Sequence, residues 1–384
     1  MSEFFLHGFS TLGHGFVGYV IPFLFVLTIV VFFHELGHFL VARWAGVKVL
    51  AFSLGFGPEL VGFNDRHGTR WKISAVPLGG YVKFFGDDSE ASTPSAQALA
   101  NMTEEERAGS FHHKKVGPRS AIVAAGPMAN FVLAVVIFTC LFTFFGKPST
   151  TARVDKVEAN SPAAAAGFQV GDVVLSIDGS KIDSFNDMQQ IVSTHPGEPM
   201  TFTVKRGNTT VTLHGTPQLR EVKDPFGNVH RQGLLGITRQ TAAGEVLTER
   251  VDPVTALGLA VKQTWFVIHQ TLSYIGGVFT GRQAADQVGG PLRIAQISGQ
   301  VAAIGGWTGL IQLAAILSIS IGLLNLFPVP LLDGGHLLFY AVEAVRGRPL
   351  SERAQEMGFR IGLGLVLMLM VFATYNDVLH LAPS

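Results

Sequence analysis

The sequence predicts a polytopic α-helical membrane protein with four transmembrane helices, a membrane-associated β-hairpin sheet and one inserted α+β domain. Three observations carry that prediction. Of the 384 residues, 48% are hydrophobic and only 15% charged, with a mean hydropathy of +0.36, too oily for an ordinary water-soluble protein. Four runs free or nearly free of charge are long enough to cross a bilayer. Residues 147–217, in contrast, show the short alternating runs and turn signals of a soluble domain. The formal net charge of zero gives no basic footprint, so no nucleic-acid partner is expected. The single cysteine, Cys140, excludes an intrachain disulfide framework.

Residues 1–48 hold the first span, from about Phe16 to Val41, with Pro22 as a candidate kink. Met1–Gly15 carries Glu3 and no Lys or Arg, so this run is expected to be retained rather than removed as a secretory signal. The span closes on Phe33-His34-Glu35-Leu36-Gly37-His38-Phe39, an H-E-x-x-H pattern. On a helix His34 and His38 share a face and can grip one zinc ion, and Glu35 lies beside them as a general base. Ionisable groups at membrane depth are expensive, which favours a metal over snorkelling side chains.

Residues 49–86 alternate and are rich in Gly, Val and Phe. Strands are expected near Val49–Gly55, Glu59–Phe63, Arg70–Val76 and Gly80–Phe85, with a turn at Asn64–Gly68. So small a sheet buries no core of its own and is expected to lean into the bilayer beside the first span. Residues 87–118 read as a cytoplasmic linker, in which His112 and His113 are surface histidines. The ten Lys and Arg residues between Ala42 and Arg119 place this whole loop in the cytoplasm by the positive-inside bias.

The second span occupies 119–146 and is interrupted by Gly126-Pro127-Met128-Ala129-Asn130. In 147–217 the expected order is a strand at Ala152–Val157, a short helix at Ser161–Ala166 stopped by Gly167, and a strand at Val173–Ile177. A helix capped by Ser184 and a hairpin about Arg206-Gly207-Asn208 complete it. In 218–305, Leu257, Val261, Trp265, Ile268, Leu272 and Ile275 mark one face of an amphipathic helix lying on the surface. The third span is 306–328, followed by a ligand-bearing loop and cytoplasmic segment at 329–357, the fourth span at 358–376 and a tail at 377–384. Counting crossings, both termini and the 147–217 domain lie outside the cytoplasm, and Asp333 falls at the same cytoplasmic depth as His34 and His38. A catalytic zinc takes three protein ligands, so Asp333 is the expected third.

Two resemblances add to this reading. The order of elements in 147–217, with Gly167-Phe168-Gln169-Val170-Gly171-Asp172-Val173-Val174-Leu175-Ser176-Ile177-Asp178-Gly179, resembles a circularly permuted PDZ domain. H-E-L-G-H at 34–38, G-P-M-A-N at 126–130 and N-L-F-P-V-P-L-L-D-G at 325–334 resemble the three motifs of the site-2 protease family of intramembrane zinc metalloproteases. The PDZ-like insertion is similar to the bacterial branch that cleaves anti-sigma factors, although the best-known members carry two such domains where this chain shows one.

The family resemblance implies one catalytic Zn²⁺ held by His34, His38 and Asp333, with Glu35 as base and Asn325 at the substrate backbone or developing oxyanion. It implies a sheet edge at Gly55-Phe56-Gly57 that receives unwound substrate, with Asn130 helping to position it. The expected substrates are single-span membrane proteins already trimmed on the outer side, in a bacterial inner membrane. A metal transporter or a non-catalytic PDZ adaptor are the rivals, and the chain shows no matched halves of the kind transporters carry.

Overall fold

The computed structural model describes residues 2–86, 102–149, 151–223, 229–239, 247–249, 251–280 and 289–381. It divides into two units, one of residues 1–138, 260–268 and 288–384, the other of residues 139–259 and 269–287. Most of the expected linker, 87–101, lies outside the described residues. Its remainder carries a short helix, Glu104–Gly109, entered through a capping box between Thr103 and Glu106.

The first unit contains helices long and apolar enough to cross a membrane. Among the described residues there are four such segments, Val17–Trp44, Val116–Phe144, Pro291–Asn325 and Arg353–Val378. The chain is therefore a membrane protein with some β-sheet. Large apolar side chains such as Val132, Ile361, Met368 and Val371 stay exposed on these helices, where lipid rather than water is the matching solvent. The amphipathic helix, Pro253–Phe279, is not among the four, and its Leu257, Val261, Trp265 and Leu272 are exposed.

The first helix, α1 (Ser2–Trp44), continues through Pro22 without interruption. Val26 and Val30 on α1 pack against Leu310 and Ala314 of the third span, and the Phe25 and Trp307 rings meet edge-on at 5.3 Å. That span begins earlier than expected. Its helix, Pro291–Asn325, is broken at Gly306 (φ 55°, ψ −145°), close to the expected start at 306. The preceding piece, 291–305, is anchored from the far end of the chain, because Asp377 accepts hydrogen bonds from the amides of Gly290, Leu292 and Arg293. Residue 377 is therefore not in a tail: the last helix runs Glu352–Leu381, and Asp377 is buried within it.

The four strands expected in 49–86 are joined into two, β1 (Val49–Asn64) and β2 (Arg70–Phe84). Their register explains the discrepancy. Ala51, Phe52, Ser53 and Leu54 each pair twice, with residues 80–83 on one side and 70–73 on the other, while 59–64 pair with 70–74. The hairpin is thus folded over itself into four ribbons in the order 80–84, 49–54, 70–74, 59–64, leaving 80–84 as one outer edge. Phe52 anchors it, stacked on Trp71 at 4.3 Å and set edge-on against Phe39 of α1 at 5.6 Å.

In the second unit the elements expected within 152–215 are found with small shifts. Ser161 caps Pro162–Ala166, Gly167 ends it in the left-handed region, Ser184 caps Phe185–Thr194, and Met200–Arg206 pairs with Thr209–Gly215. The strand expected at Ala152–Val157 shrinks to Lys156–Val157, with Arg153 making an isolated bridge to Val173. The expected boundary at 217 is too early. Leu235 enters the core with Val154, Phe168 and Phe202, and Ile237–Thr238 pairs with Lys156–Val157. Leu247–Glu249 then pairs with Lys147–Ser149, so the insertion begins and ends on neighbouring strands.

Asp172 ties this domain together. Its buried carboxylate accepts from Arg206 through Nε and Nη2, both at 2.8 Å, and from the Gln169 amide at 2.9 Å. Burial pushes this carboxyl up, but the Arg206 and Gln169 hydrogen bonds pull it further down, below its ordinary value. Replacing Arg206 with Ala strands that charge and is expected to cost the domain about 3 kcal/mol. Amide exchange of residues 152–238 in the full-length protein measures the loss. Because the folded carboxyl titrates lower than the unfolded one, the contribution is complete above about pH 4 and is lost as pH falls through the folded value.

Candidate metal centre

Three electron-pair donors from two distant parts of the chain converge in the first unit. His34 and His38 lie one turn apart near the end of α1, and Asp333 is the first residue of a helix running Asp333–Arg346. His34 Nε2 is 3.1 Å from Asp333 Oδ2, His38 Nε2 is 3.5 Å from Asp333 Oδ1, and the two Nε2 atoms are 3.3 Å apart. A tetrahedral zinc with bonds of about 2.0–2.1 Å needs its donors about 3.3 Å from one another, which is the spacing these atoms have. His38 donates its Nδ1 hydrogen to the Ile122 carbonyl at 2.8 Å, leaving Nε2 as a lone pair. Two imidazole nitrogens and a carboxylate so close together make sense around a cation, and Asp333 Oδ2 is buried without a hydrogen-bond partner. The residues fit zinc.

Local backbone explains how each side chain arrives. Gly37 faces the second span so closely that an added Cβ would meet the Ala125 carbonyl and lie 2.7 Å from Ala129 Cβ. Gly126 leaves the room that the imidazoles occupy, since a Cβ there would collide with the His38 ring and come within 2.9 Å of His34 Cε1. The expected loop at 329–357 is instead largely helical. Gly334 and Gly335 let its first turn pack onto the Leu326–Pro330 backbone, where any Cβ would meet carbonyl oxygens. Leu331 takes φ 99°, a strained value for a residue with a side chain, in the turn that aims Asp333 inward.

A cavity of about 860 Å³ opens on this cluster and is lined by His34, Glu35, His38, Asn325 and Asp333. Glu35 is held against the sheet, with its Cγ 3.1 Å from where a Gly80 Cβ would stand. Of the Gly55-Phe56-Gly57 triplet only Phe56 lines the cavity. The two glycines flank it in the left-handed region (φ 88° and 85°), and the ribbon along the cavity is Gly79–Val82. Asn130 differs from expectation. It is fully buried and absent from the cavity wall, with its carboxamide 3.3 Å from His34 Nδ1, so it touches a histidine rather than the open space. His336 and the Ile122 carbonyl were not singled out from the sequence. His336 follows Asp333 by three residues on one helix and lines the cavity, a spacing that could have been read; no sequence signal marks a backbone carbonyl.

A hydrolytic metal cluster opening on a cavity among membrane-crossing helices defines a membrane zinc metalloprotease. The chain belongs to peptidase family M50, the site-2 protease family, whose model matches residues 22–369. Relatives carry the same description. Provisionally named zinc metalloproteases of Agrobacterium fabrum and Rhizobium meliloti are 51% and 52% identical over 361 residues, each alignment covering 94% of this chain and 96% of the relative. Metalloprotease MmpA of Caulobacter vibrioides is 40% identical over 385 residues, covering 95% of this chain and 96% of its own. Among solved structures, the PDZ domain of an SdrC-like protein from Listeria monocytogenes covers 22% of this chain and 83% of its own at 22% identity. Its TM-score of 0.19 assigns no fold to the insertion.

Proposed function

We propose that this zinc metalloprotease cuts single-span membrane proteins within or near their transmembrane segment, and that the substrates are anti-sigma-factor-like regulators or signal-peptide remnants in a bacterial inner membrane. The observation that carries the reading is the convergence at zinc spacing of His34 and His38, near the end of the first span, with Asp333, a few residues beyond the third, and with Glu35 in the same cavity wall. His34, His38 and Asp333 hold the metal. Zinc, when bound, acts as a Lewis acid and brings the pKa of water to about 7. Glu35 takes the proton of the attacking water and returns it to the leaving amine. Asn325, at the end of the third span, donates from its carboxamide to the carbonyl oxygen as that atom gains charge. A substrate helix must unwind before attack, and laying it along the sheet edge beside Phe56 satisfies backbone groups that lipid cannot.

The insertion is read as a PDZ-like domain outside the cytoplasm, as are both termini, with the active site near the cytoplasmic face. Its role is to exclude bulky ectodomains, so that only pre-trimmed substrates reach the zinc. The test is reconstitution in lipid with a single-span peptide, bare or fused to a folded outer domain. Cleavage of the bare peptide inside its apolar segment supports the reading, and cleavage confined to soluble flanks overturns it. Replacing 150–246 with a two-residue Asn-Gly turn joins strands that are already paired, Ser149 opposite Leu247. That replacement is expected to admit the fused substrate; unchanged selectivity removes the exclusion role.

A further inference from the structure

One face of the second span serves both imidazoles. Ile122, Gly126 and Asn130 follow at four-residue steps and so stack along one side of the helix. The Ile122 carbonyl holds His38 Nδ1, Gly126 clears the two rings, and the Asn130 carboxamide lies against His34 Nδ1 at 3.3 Å. Asn130 is itself fixed. Its backbone carbonyl accepts from Ser318 Oγ at 2.9 Å, its Cβ packs against Gly322, and its side chain is wholly buried. Yet its Oδ1 is buried without a hydrogen-bond partner while Nδ2 is turned to the ring.

We infer that Asn130 is a positioning residue for the metal, accepting the Nδ1 hydrogen of His34 through Oδ1 so that His34 Nε2 is held as a lone pair. A half-turn of the carboxamide exchanges its two ends, which gives the orphaned oxygen a donor and the imidazole the tautomer a metal requires. As it stands, with Nδ2 donating to Nδ1, His34 would carry its hydrogen on Nε2, pointing into the metal cluster. His38 already has the matching arrangement through Ile122, so the two ligands are oriented by one helix, one through a backbone carbonyl and one through a side chain. The inference rests on His34 and His38 being zinc ligands and is independent of which substrate is cut.

The experiment compares Asn130→Leu and Asn130→Asp in the full-length protein in lipid. Zinc affinity is read by chelator competition, ring geometry by the visible spectrum of the cobalt-substituted form, and KM and kcat on a model peptide. Asn130→Leu removes the acceptor and excludes water. It is expected to weaken zinc about 10–100-fold and to shift the cobalt spectrum, with KM unchanged. Asn130→Asp keeps an acceptor oxygen and is expected to restore affinity. If Asn130→Leu does not fold, Asn130→Ala takes its place in the comparison. Zinc affinity equal to wild type in the apolar variant, or no recovery with Asp, overturns the inference. So does a raised KM at unchanged affinity, which would make Asn130 a substrate contact.

Discussion

Glu35→Gln is expected to retain zinc and lose cleavage, with kcat lowered about 10²–10⁴-fold, the range that loss of a general base produces. The two readouts separate because of where this side chain sits. Glu35 is not part of the His34, His38, Asp333 cluster, yet it lines the same cavity, held beside the sheet at Gly80. Glutamine has nearly the same shape, so packing is preserved, and only the ability to accept a proton is removed. Metal content measured beside cleavage of a membrane peptide decides the matter. Full activity in Glu35→Gln would move the base elsewhere, and loss of zinc would make Glu35 a structural partner of the metal.

Removal of the third ligand has the opposite signature. Asp333→Ala is expected to lower zinc affinity by more than the 10–100-fold typical of outer hydrogen-bond partners, and to abolish activity with it. The carboxylate lies 3.1 and 3.5 Å from the two imidazole Nε2 atoms, and without it two neutral nitrogens remain, one short of the usual catalytic set. The effect should be confined to the site, since the Asp333 carboxylate faces the two imidazoles and caps no helix. Chelator competition measures the affinity, and an unchanged value would exclude this residue as a ligand.

The parts of this molecule written in local periodicity were legible in the sequence. Spans, the His34–His38 spacing, the cap at Ser184 and the hairpin at 200–215 all depend on neighbours a few residues away. The misjudged parts depend on distant partners. No local signal carries the insertion past 217, because 218–234 intervenes before Leu235 and Ile237 return to its core. The four strands expected in 49–86 are present as four ribbons, but their running together into two and the double pairing of 51–54 leave no trace in alternation. Asp333 is expected beside His34 and His38 and lies there, but its position at a helix start is masked by Pro328 and Pro330 before it and Gly334 and Gly335 after it. Asn130 reads in the sequence as a polar interruption in an apolar run, and only packing against α1 turns it toward His34.

Asp377 gives the C-terminal helix a duty that its composition does not advertise. A polypeptide interrupted anywhere between residues 347 and 376 already possesses His34, Glu35, His38, Asn325 and Asp333, the full reactive set proposed above. It would nonetheless lack the carboxylate that satisfies the amides of Gly290, Leu292 and Arg293, two of those residues being buried in the complete fold. Where Asp377 alone is replaced by Ala, the donors stay covered and each left unmet costs about 1–3 kcal/mol. A side chain well past the last member of that set is thereby what holds the start of the helix leading to Asn325.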